Sequence, residues 1–270
     1  VTSTALVPTH PGLWHDAHHR YFYGERGPLP SVTTIIKSLD RSGPLIGWAK
    51  RATAECAVRN LDALRTMVET GGKQPAIDWL KSIPDYQRDE AAQMGSLVHR
   101  VADQIGRGIE PTDIPAGVDI RPYVTAYQRF LAHTRARILW SEAQVANLTV
   151  GYGGTLDVGA ELFGDGHATL LDIKTGGVYA ETALQLTGYD NAEFTATEDD
   201  PTQVPLPEFK QFGVLNLTAD GQWTLIPYEV GPEDWEAFLA CLRLHRWTKD
   251  RAPWTKGTPY QEVGAYERVG

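Results

Sequence analysis

Two acidic residues and a lysine stand close together in the middle of this chain. Asp157 follows the run Gly153-Gly154-Thr155-Leu156, and Asp172-Ile173-Lys174-Thr175 comes shortly after it. Between them, Gly164-Asp165-Gly166 is a turn signal. The segment therefore reads as one strand, a tight turn and a second strand over Ala168 to Lys174. With the turn centred near Asp165-Gly166, Asp157 falls opposite residues 173 and 174, beside Asp172. Strand side chains alternate, so Asp172 and Lys174 share one face and Leu171 and Ile173 take the other. Carboxylates brought that close repel unless a cation lies between them. A divalent cation beside an ammonium group is equipped to hydrolyse a phosphodiester.

The elements that must hold these residues follow from periodicity. The first half is mainly helical. Ser31 is an N-cap for a short helix through Thr33, Ile36 and Leu39, which Ser42-Gly43-Pro44 breaks. A long helix is expected from Leu45 to about Val68, ended by Gly71-Gly72. A short helix over Pro75 to Ser82, another over Asp85 to Gly106, and a further one over about Ile120 to Ile138 come next. Near Leu139 the period changes to that of strands: Trp140 to Val150, Thr155 to Phe163 and Ala168 to Lys174. A helix over Glu181 to Phe194 and a polar, proline-containing loop over Thr195 to Pro207, suited to a lid, come after these. Phe209 to Leu217 and Gln222 to Val230 pair through Ala219-Asp220-Gly221. Pro232 opens a last helix to about Lys249. His18 to Tyr23 reads as a short strand. The order predicts one α/β domain over 1–270: a helical N-terminal elaboration over 1–138, a sheet core over 139–250 and a tail over 251–270.

Composition narrows the function classes. The chain has 270 residues, 42% of them hydrophobic, enough for one large core. No run is long enough for a membrane-spanning helix, and no basic-then-apolar leader is present. Two cysteines, Cys56 and Cys241, fit a reducing cytoplasm and cannot supply four thiolates to a zinc ribbon or an iron–sulfur cluster. The net charge of −9 counts against general coating of nucleic acid. One stretch differs: Arg243, Arg246, Lys249, Arg251 and Lys256 stand against Asp250 alone. It reads either as a solvated helix face or as a surface that tracks phosphates, with Arg243 and Arg246 as substrate-binding candidates.

More residues join the acidic pair. His99 closes Met94-Gly95-Ser96-Leu97-Val98-His99, with Gly95 one turn earlier on the same helix face. Gln185 and Tyr189 lie four apart on the helix after Lys174 and project from one face. Glu142 lies in the strand before Asp157, where either a functional or a solvated position is open to it. His10, His15, His18 and His19 form a local cluster without zinc-motif spacing, accounted for by a polar N-terminal segment. An Asp-x-Lys triplet alone is weak, since it also describes an exposed strand ion pair. The conjunction in order is much stronger.

That conjunction resembles the RecB-like branch of the PD-(D/E)xK nuclease superfamily. The matching pieces are Gly95 to His99, Gly154 to Asp157, Asp172 to Thr175 and Gln185-Leu186-Thr187-Gly188-Tyr189, spanning roughly residues 90–190. Ser31 to Ile35 also looks like the N-terminus of phage-encoded relatives of the CRISPR-associated RecB-like exonucleases. The resemblance implies a restriction-endonuclease-like mixed sheet flanked by helices. It implies magnesium or manganese bound by His99, Asp157, Asp172 and the main chain of Ile173, with Lys174 catalytic alongside Asp157 and Asp172. Gln185 and Tyr189 would contact the DNA strand near the scissile phosphate. The expected activity is a metal-dependent deoxyribonuclease, an exonuclease of phage or bacterial DNA processing, recombination or repair, acting in the (host) cytoplasm. DNA is the expected partner and no membrane is. CRISPR-associated members carry four cysteines around an iron–sulfur cluster; this chain departs from them, and no cluster is expected. Two rivals are a nuclease fold retired into a DNA- or partner-binding module, and an RNA-directed nuclease. Intact Asp157, Asp172 and Lys174 oppose the first; substrate competition separates the second.

Overall fold

Residues 10–40, 42–198 and 200–251 are described by a computed structural model; Lys256 and the tail beyond Arg251 lie outside them. Three short strands, β1 (Leu13–His15), β2 (Tyr21–Tyr23) and β3 (Arg26–Leu29), form a small antiparallel sheet. Four helices come next: α1 (Val32–Ile36), α2 (Ser42–Arg59), α3 (Leu61–Gly71) and α4 (Lys73–Gly106), and α5 (Arg121–Thr134) leads into the main sheet. The remaining elements are β4 (Arg137–Asn147), β5 (Tyr152–Glu161), β6 (Ala168–Lys174), α6 (Thr182–Asp190), β7 (Phe194–Thr195), β8 (Val204–Pro205), β9 (Phe209–Leu217), β10 (Trp223–Tyr228) and α7 (Pro232–Asp250). The main sheet has seven strands in the order β10-β9-β6-β5-β4-β7-β8. β6 and β9 run parallel and the other neighbours antiparallel, so the sheet is mixed and α/β in class.

Helices cover both faces. Leu170 packs with α1, α6 and α7, whereas Leu171 packs with α4 and α5. Neighbouring residues of one strand point to opposite faces, so these are two separate cores. Each fully buried Leu or Ile there contributes about 1.5–3 kcal/mol relative to exposure.

Several local expectations need correction. The expected helix from Leu45 to Val68 is two helices, with the break at Asn60, whose side-chain amide donates to the Cys56 carbonyl at 2.8 Å and caps α2. Ser42-Gly43-Pro44 opens α2 rather than only ending what precedes it, because the Ser42 N–H is capped by Asp40 at 2.8 Å and Pro44 occupies the tolerant first turn. The two helices expected over 75–82 and 85–106 are one, since Pro84 forfeits a single main-chain bond while α2 and α3 pack along α4. The helix expected to reach Phe194 stops at Asp190; Phe194 and Thr195 instead pair with β4. The segment expected as a lid is fastened, with Gly12 and Leu13 N–H groups donating to Glu198 and Thr197 carbonyls at 3.1 Å. The small sheet β1–β3 was foreshadowed only by one short strand. Among the described residues no helix is long and apolar enough to cross a membrane.

The feature that matters for chemistry is a fork. β5 and β6 pair from Glu161↔Ala168 to Val158↔Leu171 and then part. Beyond that point β5 continues against β4 to Tyr152, and β6 continues against β9 to Lys174↔Asn216. This register places Asp157 next to Asp172 rather than opposite 173 and 174, because Phe163 and Gly164 join the turn, both with left-handed φ values of 56° and 71°.

Candidate active site

Asp157 is the first β5 residue beyond the last β5–β6 pair, and its Oδ2 accepts the Ile173 N–H at 2.7 Å. A carboxylate thus does there what a strand backbone would otherwise do. Leu156 buries against the α1/α6/α7 core and Val158 against the α4/α5 core, so the alternation of β5 slips at Asp157. Across from it on β4, between the pairs Ser141↔Val158 and Ala143↔Leu156, Glu142 takes a left-handed φ of 45°. Such a conformation is uncommon outside glycine.

His99 projects from α4 into the fork. Its Nε2 lies 3.1 Å from the Ile173 carbonyl oxygen, and its Nδ1 lies 3.2 Å from Glu142 Oε1 and 3.6 Å from Asp157 Oδ1. Ligand atoms of His99, Glu142 and Asp157 all fall within 4.8 Å of one another. Asp172 is 1% exposed. Lys174 Nζ forms an ion pair with Asp172 Oδ2 at 2.7 Å, and Asp172 Oδ1 has no hydrogen-bond partner. Lys174 Nζ also donates to Gln185 Oε1 at 3.5 Å, and Gln185 Nε2 to the Tyr189 hydroxyl at 3.4 Å.

The electrostatics follow from burying so many charges together. The adjacent Asp157 charge raises the His99 pKa to about 9, outweighing the opposing effect of burial. Burial pushes the Asp157 carboxyl up, against the attraction of His99. Burial, then the Asp157 charge, pushes Asp172 up to about 7. Burial also holds the Tyr189 hydroxyl well above its ordinary range. Without a cation, the His99 imidazolium and the Lys174 ammonium offset the carboxylates. A buried carboxylate with an oxygen that no hydrogen bond occupies, beside a second carboxylate, a carbonyl and an imidazole, is a donor set that suits a small divalent cation.

The two glycines before Thr155 serve packing. A Cβ on Gly153 would lie 2.7 Å from the Tyr21 Cβ, and one on Gly154 would lie 2.7 Å from the Tyr189 ring. Tyr21 also bonds Thr155 Oγ1 through its hydroxyl at 2.7 Å, which ties the small sheet to the site.

A cleft of about 970 Å³ opens over this constellation. His99, Asp157, Asp172, Lys174, Gln185 and Tyr189 all line it, so six sequence candidates meet in one place. Gln185 and Tyr189 are only 8% and 4% exposed, which makes them floor rather than rim. Gly95 lines it too, where a Cβ would meet nothing closer than Thr175 Oγ1 at 3.6 Å. Arg243 and Arg246 are not brought there. Arg246 donates to the Val150 and Gly151 carbonyls at 2.5 and 3.2 Å and clamps the β4–β5 turn, while Arg243 is exposed on α7. The link between α7 and the cleft is Lys37, which borders both the cleft and a side groove lined by His245 and Lys249.

Among the cleft-bordering residues to which sequence reasoning gave no site role are Lys37, Glu142, His15 and His19. Glu142 had a signal in its count across the β4–β5 turn, which sets it against Asp157. The two histidines, with rings stacked 5.2 Å apart, had none, because only tertiary folding carries β1 and β2 to the cleft mouth. Cys56 and Cys241 are free thiols on α2 and α7. A scan against protein-family models found no match, and a search of curated proteins found none either.

Proposed function

We propose that this protein is a metal-dependent deoxyribonuclease with a restriction-endonuclease-like core of the RecB-like kind. The observation that carries the reading is Asp172: a buried carboxylate whose Oδ2 meets Lys174 while Oδ1 has no hydrogen bond, in one cleft with Asp157 and with His99, which lies against the Ile173 carbonyl. A protein gains little in stability from such an arrangement, since two adjacent buried carboxylates are costly to desolvate even with the Lys174 ammonium and the His99 imidazole beside them. It makes sense as a cation site.

His99, Asp157 and Asp172, with the Ile173 carbonyl, would hold magnesium or manganese. Such an ion supplies an acidified water near neutral pH and polarises a phosphoryl oxygen. Lys174 presents its ammonium at the cleft, where it stabilises negative charge developing on the phosphate. Gln185 fixes that ammonium from below, and Tyr189 fixes Gln185, so the pair keeps the lysine head in place as the substrate strand enters. Lys37 and Lys249 provide the cationic route leading away from the cleft, which an otherwise acidic chain needs for phosphates. The deoxyribonuclease reading and its exonuclease form rest on the sequence resemblance.

The test is digestion of 5′- and 3′-labelled single- and double-stranded DNA, with RNA as competitor, in magnesium, manganese or EDTA. Cation-dependent cleavage of DNA that Asp172→Ala abolishes is the expected result. A preparation that binds DNA but never cuts it would favour a retired site.

A further inference from the structure

His99 has two ring nitrogens, and they face different neighbours. Nε2 is directed at the Ile173 carbonyl oxygen, 3.1 Å away; Nδ1 has Glu142 Oε1 at 3.2 Å and, farther off, Asp157 Oδ1 at 3.6 Å. The in-plane directions of the two nitrogens diverge, so one cation cannot meet both. Adjacent ligands on an octahedral magnesium at about 2.1 Å are about 3 Å apart. The Nε2–Ile173 separation matches that spacing, and Ile173 is flanked by Asp172. Glu142 lies on the other side of the ring and is the nearer of the two carboxylates to an Nδ1–H, at hydrogen-bonding distance where Asp157 Oδ1 is at 3.6 Å. Its backbone is turned out of the β4 pattern at φ 45°, while Ser141 and Ala143 on either side keep their pairs with β5.

Building on the metal reading above, we propose that Glu142 is a positioning residue. It accepts the Nδ1 hydrogen of His99 and so fixes the tautomer that leaves the Nε2 lone pair free for the cation. Histidine ligands commonly give their other N–H to a carboxylate in this way, which sets the ring's orientation and raises its basicity. In this arrangement Glu142 is not itself a ligand of the cation. Its effect passes through His99.

The experiment titrates magnesium and manganese into wild type, Glu142→Ala, Glu142→Gln and Asp157→Ala, with affinity read by calorimetry and fold checked by melting in EDTA. Glu142→Ala weakens cation binding by about 10–100-fold. Glu142→Gln keeps an oxygen that accepts the same hydrogen bond, and it recovers most of that loss. In parallel, 15N spectra of the imidazoles, with His99→Gln to assign the resonance, show Nε2 responding to magnesium while Nδ1 stays protonated. The proposal is overturned if Glu142→Gln is as damaging as Glu142→Ala, or if Nδ1 is the nitrogen that responds; Glu142 is then itself a ligand. Wild-type affinity in Glu142→Ala also overturns it. If wild type shows no cation response and matches Asp157→Ala, the metal reading falls and this inference falls with it.

Discussion

Asp157 Oδ2 accepts the Ile173 N–H at 2.7 Å at the point where the β5–β6 ladder stops. The bond leaves Oδ1 facing His99 and locks the carboxylate across the fork, so the same residue closes a gap in the sheet and, in the proposed metal site, would give the cation its other oxygen. Asp157→Asn keeps an oxygen for Ile173 N–H but loses the charge. It should fold as wild type does in EDTA and lose the rise in melting temperature that magnesium or manganese gives through mass action. Equal cation-induced shifts in both proteins would falsify the assignment.

Lys174→Ala should separate binding from chemistry. An ammonium group is not a ligand, so calorimetric cation affinity should persist or rise slightly as a nearby positive charge disappears. Cleavage should fall by on the order of 100-fold or more, the usual loss when one preorganised electrostatic stabiliser is removed. Near wild-type turnover in the alanine variant would remove lysine from the mechanism.

The pH dependence of stability follows from two raised values. Asp172 holds its proton to about 7 against an ordinary 3.8, so its contribution is full below 3.8 and is lost as pH rises through 7. His99 holds its proton to about 9 against 6.5, so its contribution is full below 6.5 and is lost as pH rises through 9. Both act in one direction, and the cation-free protein should melt at progressively lower temperature from about pH 4 to pH 9. Adding magnesium should help most at the upper end, where the ligands have shed their protons. Melting curves in EDTA, with Asp172→Asn flattening the lower part of the fall, check this. A wild-type profile that is flat or rising over that window would contradict it.

Gly154→Ala tests the floor of the cleft. The added Cβ would lie 2.7 Å from the Tyr189 ring and 3.1 Å from Val32 Cγ2, both in a packed core. Overpacking of this kind costs about 1–3 kcal/mol. Activity should fall beyond what lost stability explains, because displacing Tyr189 unsettles Gln185 and then Lys174. Unchanged melting would show that the ring moves away freely.

The basic residues of α7 and the neighbouring Lys37 are expected to have two different roles. Lys37→Ala with Lys249→Ala should weaken binding of a short DNA, measured in calcium, and lower the log–log salt slope by roughly one to two units. Arg246→Ala should instead lower the melting temperature by a few degrees, since it frees the Val150 and Gly151 carbonyls, and leave the salt slope alone. A reversed pattern would return the substrate path to Arg243 and Arg246.

The sequence by itself determined which residues could act together. The Asp157 and Asp172-x-Lys174 pieces, His99 one helical turn past Gly95, and Gln185 four before Tyr189 are written as local spacings, and local spacing fixes which residues share an element and a face. The change from helical to strand period near Leu139 likewise announced the α/β order, because 3.6- and 2-residue repeats are visible without a structure. What only the tertiary structure decided depends on neighbours distant in sequence. Where β5 leaves β6, and so where Asp157 points, is set by competing pairings with β4 and β9. That Arg246 grips the β4–β5 turn while Lys37 meets the cleft is decided by how α1 and α7 pack. Glu142 reaches His99 through a left-handed backbone that no alternation pattern encodes, and β1 and β2 bring His15 and His19 to the cleft by folding over Gly153. Contacts between remote segments are selected by the total packing of the core, and a spacing rule carries no information about that packing.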